Sequence, residues 1–187
     1  MIPFRQPARD GFGIVLNAGE SMRRAADANI GGTDMHIETK QTLNMENMIT
    51  FRMKVKAAEL QMHMERLLAY AKSCGAIRIG NGVSATYAVD GDVVDIEVYI
   101  PINKRIPSNE EFVFKPLLRL ENCIKIKHKG DPHLLQNSMQ VLNDYVTVNQ
   151  LVPIAVGFTV IVNDVTEPRD FELFEVDLYL SLSPNVI

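Results

Sequence analysis

Two short strings in this chain carry side chains that could do chemistry: Asp95-Ile96-Glu97-Val98-Tyr99 and Glu175-Val176-Asp177-Leu178-Tyr179. Each places two acids and a tyrosine at alternate positions, with aliphatic residues between them. On an extended strand that alternation sends the polar residues to one face and the aliphatics to the other. Four carboxylates and two aromatic rings on one face suit a small amphipathic cation, with the acids supplying charge and the tyrosines ring faces. Neighbouring strands are expected to add Ser84, Thr86, Thr159 and Ile161 to that face. The candidate ligand-binding set is therefore Asp95, Glu97, Tyr99, Thr159, Glu175, Asp177 and Tyr179. A competing account needs no ligand. Arg52, Lys54, Lys125, Lys127 and Lys129 also alternate along strands, and cross-strand ion pairs on a solvated face would absorb all of these charges. No set of nucleophile, base and orienting group can be assembled, so no catalytic residue is assigned and a binding protein is favoured over an enzyme. His63 and His128 read as ordinary surface or strand-end histidines.

Composition narrows the partners. With 187 residues, 47% apolar and 22% charged, the chain has the make-up of a globular protein. A net charge of −4 lacks the basic footprint of a nucleic-acid binder. The longest apolar run, from Val152 to Val162, contains Pro153 and Gly157 and is too short to span a bilayer. Neither a membrane nor a nucleic acid is expected as partner; a small amphipathic ligand or another protein is. Cys74 and Cys123 are isolated thiols without metal-ligand spacing, so no metal and no cofactor is expected. Lone thiols and the lack of an apolar leader core point to the cytoplasm.

The elements that must position the candidate residues are written twice. Leu60-Gln61, Met64, Leu67 and Tyr70 recur as Leu135-Gln136, Met139, Leu142 and Tyr145 at a constant offset of 75 positions. Glu46-Asn47 and Ile49 recur as Glu121-Asn122 and Ile124 in the same frame. The first copy reads as a strand over 48–55, a helix over 57–73 with Leu60, Met64, Leu67 and Ala71 on one stripe, and two strands over 83–89 and 93–102. Asp90-Gly91 is the expected hairpin turn. A polar linker over 103–111 leads to the second copy, in which Asp131 can cap and Pro132 can open the helix. Its closing strands are expected over 153–162 and 171–182, where a longer turn shifts the offset to 80 and matches Tyr99 with Tyr179.

The expected fold is α+β: tandem duplicated strand–helix–strand–strand halves forming one antiparallel sheet, with two helices on one face and a groove on the other. Each half is too small to be stable alone, and joining the sheets buries both helix faces on one apolar layer. Residues 35–187 are expected to form a single domain of two repeats, about 36–102 and 112–184. Residues 1–34 lie outside the repeat and read either as a flexible N-terminal extension or as untranslated sequence. Under the second reading, Gly31-Gly32 is a ribosome-binding GGAGGT read in frame and Met35 is the start.

The segment Ile126-Lys127-His128-Lys129-Gly130-Asp131-Pro132, the helix carrying Leu135, Leu142 and Tyr145, and the closing Phe174 to Leu180 strand resemble the GyrI-like effector-binding domain. Val94-Asp95-Ile96-Glu97-Val98-Tyr99-Ile100-Pro101 is similar to that family's closing strand as well. The resemblance covers roughly 36–184 and implies tandem strand–helix–strand–strand halves in a bacterial protein. It implies a stand-alone small-molecule-binding protein, or an interaction module associated with gyrase inhibition or a secretion locus, with hydrolysis a more distant reading. The family's pocket glutamate would fall on the strand before the last, where this sequence has Thr159 and no acid.

Overall fold

A computed structural model describes residues 28–30, 33–163 and 168–184. In chain order the elements are β1 (Ala28–Ile30), β2 (Thr33–Met35), β3 (Ile37–Lys56), α1 (Leu60–Ser73), β4 (Val83–Asp90), β5 (Val93–Pro101), β6 (Val113–Lys129), α2 (Leu135–Val148), β7 (Phe158–Asn163) and β8 (Glu175–Ser181). The fold is α+β, built of two strand–helix–strand–strand halves. Six strands form one antiparallel sheet in the order β3-β5-β4-β7-β8-β6, and β6 pairs back onto β3. The sheet therefore closes on itself, and the face turned away from the helices is concave and looks inward.

The two halves repeat in backbone detail. Asn47 and Asn122 both take left-handed φ values, 52° and 50°. Their carbonyls accept from Ile102 N at 2.9 Å and Leu182 N at 3.2 Å, which ties the first strand of each half to the end of its last. Helix α1 ends at Gly75 (φ 71°) and α2 at Gln150 (φ 53°). A left-handed residue after the last turn lets the next N–H reach back to an otherwise unpaired helix carbonyl. Ala76 N bonds Ala71 O, and Leu151 N bonds Val146 O, both at 2.9 Å. Asp131 caps the second helical segment through His133 N at 2.9 Å, ahead of a short 3-10 turn at Pro132–Leu134.

Burial follows the strand alternation. Under α1, Leu60, Leu67 and Ala71 pack on Phe51, Val94, Ile96 and Val98. Under α2, Leu135, Met139 and Leu142 pack on Ile124, Ile126, Val176 and Leu178. A third apolar layer lies on the inward face, where Leu43, Met48, Val83, Ala85, Tyr99, Leu118 and Phe158 meet.

Several boundaries differ from the sequence reading. β3 runs the full 20 residues from Ile37 to Lys56, because its C-terminal half pairs with β5 and its N-terminal half with β6. β7 begins at Phe158; Pro153, which has no N–H to donate, makes only an isolated bridge to Leu182. Phe171 to Leu173 belong to a 3-10 segment, and the closing strand starts at Glu175. The hairpin turn is Gly91-Asp92, since Asp90 already pairs with Val93; Gly91 supplies φ 58° at the first loop position. Of the segment expected as an extension, 1–27 and 31–32 lie outside the described residues, while Ala28–Ile30 and Thr33–Met35 pair with each other.

Candidate functional site

The inward face collects most of the sequence-predicted residues. Asp95, Glu97 and Tyr99 alternate on β5 with Val94, Ile96 and Val98, which go to the helix layer. Glu175, Asp177 and Tyr179 do the same on β8 against Val176 and Leu178.

Thr159 is not brought to this face, and neither are Ser84, Thr86 and Ile161. Ser84 pairs with Val98 and Thr86 with Ile96, whereas Thr159 pairs with Leu178 and Ile161 with Val176. Residues directly opposite in an antiparallel pair share a face, so all four lie on the helix side. The cause is a one-residue irregularity in each half, between Thr86 and Ala88 and between Ile161 and Asn163. One extra residue reverses the facing of everything beyond it. Val83, Ala85, Phe158 and Val160 take the inward places instead.

In the first half the acids are fully engaged. Glu97, 7% exposed, accepts from Lys115 Nζ at 2.6 Å, Tyr87 OH at 3.1 Å and Thr50 Oγ1 at 3.2 Å. Burial alone would push its carboxyl up, but the hydrogen bonds from Lys115 and the tyrosines outweigh that and hold it below the ordinary value. Asp95 accepts from Arg52 Nε and Nη2 at 3.1 and 3.2 Å, and these bonds lower its carboxyl. The Arg52 guanidinium also lies 3.5 Å from the Tyr87 ring centre. Burial, and then the Glu97 carboxylate, push the Tyr99 phenol strongly upward.

The second half is built from the same parts but is less complete. Lys127 pairs with Glu175. Lys125 sits 2.7 Å from Glu38 and only 3.9 Å from Asp177 Oδ2. Asp177 Oδ1 is buried and has no hydrogen-bond partner among the described residues. Burial raises the Asp177 carboxyl above its ordinary value, against the pull of Lys125 and Lys127. Tyr179 is likewise pushed up by burial. Between the two halves the face is apolar, with the Tyr99 and Phe158 rings 6.1 Å apart beside Met48.

Sequence reasoning missed Tyr87, Lys115, Thr50 and Glu38 as members of this face. Tyr87 is the extra residue of its irregularity, and Val162 stands 75 positions on at the second one. Their shared place in the repeat is the only signal the sequence held. His128 is also corrected. It is 4% exposed beneath α2, with Nδ1 2.8 Å from Ser138 Oγ and Nε2 3.1 Å from Asp131 O. It belongs to the core because its strand position faces the helix, and burial lowers its basicity.

Compared with models of protein families the chain matches none, and no curated protein matches it by sequence. Solved structures do match. The fold is that of the EcmrR C-terminal domain. Its crystal structure aligns at a TM-score of 0.60 and 11% identity, covering 79% of this chain and 98% of that one. EcmrR in a cryo-EM structure of the EcmrR–DNA complex in EcmrR-RPo aligns at a TM-score of 0.66 and 11% identity. There this chain spans only 57% of EcmrR's length, with 79% of its own covered. A crystal structure of an uncharacterized conserved protein from Listeria innocua aligns at 0.55 and 12% identity, covering 80% of this chain and 92% of that one. Among the described residues, no helix is long and apolar enough to cross a membrane.

Proposed function

We propose that this chain is a GyrI-like effector-binding protein whose inward face takes a small amphipathic molecule with a protonated amine. The observation that carries the reading is the inequality between the two halves. Glu97 accepts from three donors, whereas its counterpart Asp177 keeps a buried oxygen without one among the described residues. An ammonium group is the donor that Asp177 Oδ1 lacks, and the Tyr179 ring beside an apolar strip suits the body of such a molecule. The remaining acids, Asp95, Glu97 and Glu175, act as fixed charges held by Arg52, Lys115 and Lys127 and do not contact the ligand directly. Tyr99 belongs to the wall.

A panel of aryl-alkyl ammonium compounds, titrated against the wild-type chain and an Asp177→Asn variant, tests this reading. Saturable binding is expected, weakened about tenfold or more in the variant, as for loss of a hydrogen bond to a charged group. No binding by wild type at millimolar concentration refutes it.

One observation favours a protein partner as second reading. Ile77 and Ile79 in the first half, and Val152 and Ile154 in the second, are all more than half exposed at equivalent positions. A repeated aliphatic surface of this kind would serve an interaction module.

A further inference from the structure

On the helix side, away from the inward face, the second half has a recess of about 360 Å3 at the C-terminal end of α2. Ile124, Leu151 and Leu182 supply its apolar walls, and Lys40, Tyr145 and Asn122 its polar ones. The volume lies within the range of small-molecule sites, roughly 300–1,000 Å3.

The duplication reveals what fits there. In the first half the counterparts are Ile49, Ala76, Ile102, Tyr70 and Asn47, and the chain itself fills that place. Ile106 and Phe112 are buried against this cluster, and the Phe112 ring lies 5.4 Å from that of Tyr70. The Tyr70 hydroxyl donates to the Pro107 carbonyl at 2.8 Å. The filled version thus holds an apolar group whose neighbouring oxygen is taken by the tyrosine. In the second half the floor is kept, but the Tyr145 hydroxyl has no hydrogen-bond partner and Lys40 no ion pair among the described residues. Asn122 is already committed, its amide donating to Leu182 O at 3.2 Å and Ser183 O at 3.3 Å, so it fixes the rim. What the recess still offers over its apolar floor is the Tyr145 hydroxyl and the Lys40 ammonium, with Thr39 and Ser183 also lining it.

We infer that this recess is a second binding site, for an apolar carboxylic acid, aromatic or branched aliphatic. Tyr145 donates to one carboxylate oxygen, as Tyr70 does to the Pro107 carbonyl, and Lys40 balances the charge. The hydrocarbon body covers Ile124, Leu151 and Leu182. The site takes an anion on the helix side and stands independently of the amine reading of the inward face, so either can fail alone.

The probe is 3-phenylpropionate, titrated into the full chain and followed by backbone amide NMR shifts. Saturable shifts are expected at Lys40, Asn122, Tyr145, Leu151 and Leu182, with Tyr99 and Asp177 unmoved. Tyr145→Phe and Lys40→Gln should each weaken binding about tenfold, the range for a hydrogen bond to a charged group. 3-Phenylpropanol, which keeps the body and lacks the charge, should also bind about tenfold more weakly. Absence of saturable shifts at millimolar acid overturns the inference, as do shifts confined to the inward face or wild-type affinity retained in both variants. A peptide copying Ile106 to Phe112 that binds at the recess while the acid does not would put a protein segment there and overturn it as well.

Discussion

Glu97 and Asp177 occupy equivalent places on the inward face, yet replacing each by its amide should have opposite consequences. Glu97→Gln removes a carboxylate that accepts three hydrogen bonds while 7% exposed. Losing a charge-assisted bond there costs about 1.5–3 kcal/mol. The Lys115 side chain is 39% exposed, so water can take up its ammonium and a loss at or just below the bottom of that range, about 1–2 kcal/mol, is expected. Asp177→Asn removes a partly buried charge whose Oδ1 has no donor among the described residues, while Lys125 keeps Glu38 at 2.7 Å. The expected change runs from about zero to a gain of ~1 kcal/mol, since a neutral amide is less costly to bury than a carboxylate paired only at 3.9 Å. The pH dependence follows from the directions of the two shifts. Glu97 titrates below its unfolded value, so its stabilisation is complete above about pH 4.3 and is lost as pH falls through the folded value. Asp177 titrates above its unfolded value, so its penalty is complete above the folded value and fades as pH falls through it. Both variants should therefore draw closer to wild type in acid. Urea unfolding followed by circular dichroism at neutral and acidic pH measures this directly. If Asp177→Asn loses as much stability as Glu97→Gln at neutral pH, the two carboxylates are equally satisfied and the asymmetry argument fails.

Leu67 and Leu142, 0% and 2% exposed beneath the two helices, should each lose about 2–5 kcal/mol on substitution by alanine. Thermal unfolding checks this, and a loss under ~1 kcal/mol at either site would mean that its helix face is not packed. His128 is buried with its basicity lowered, so its neutral form stabilises the fold above about pH 6.5 and that stability is lost as pH falls below it. A His128→Gln variant should show a flatter stability profile between neutral and mildly acidic pH; an unchanged profile would assign the slope to other groups. Asn47→Ala and Asn122→Ala remove the short amide side chain that makes φ 52° and 50° tolerable, for a loss of about 1–2 kcal/mol. Asn47→Gly should stay near wild type, whereas Asn122→Gly also gives up the amide bonds to Leu182 O and Ser183 O and should recover only part of the loss; denaturant midpoints separate these outcomes.

The sequence by itself determined the duplicated halves and the order of their elements. A constant offset of 75 positions between Leu60 and Leu135, Met64 and Met139, and Tyr70 and Tyr145 identified two halves of one design. The alternation in Asp95-x-Glu97-x-Tyr99 and Glu175-x-Asp177-x-Tyr179 placed those six residues on one face, because side chains on an unbroken strand follow period two. That logic ends at a bulge. A single extra residue at Tyr87, and another at Val162, moved Ser84, Thr86, Thr159 and Ile161 to the helix side without altering the local pattern of residue types. Only tertiary structure decided the partners of the acids. Lys115 reaches Glu97 because β3, which carries Thr50 and Arg52, pairs with both β5 and β6. Glu38 takes Lys125 away from Asp177 because the first and second halves are joined along β3 and β6. Closure of the sheet through β4 and β7 rests on contacts between residues far apart in the chain, such as Ser84 with Thr159. No local periodicity encodes such a pairing. It forms only when two apolar layers are buried together, and it leaves one carboxylate satisfied and its repeat partner not.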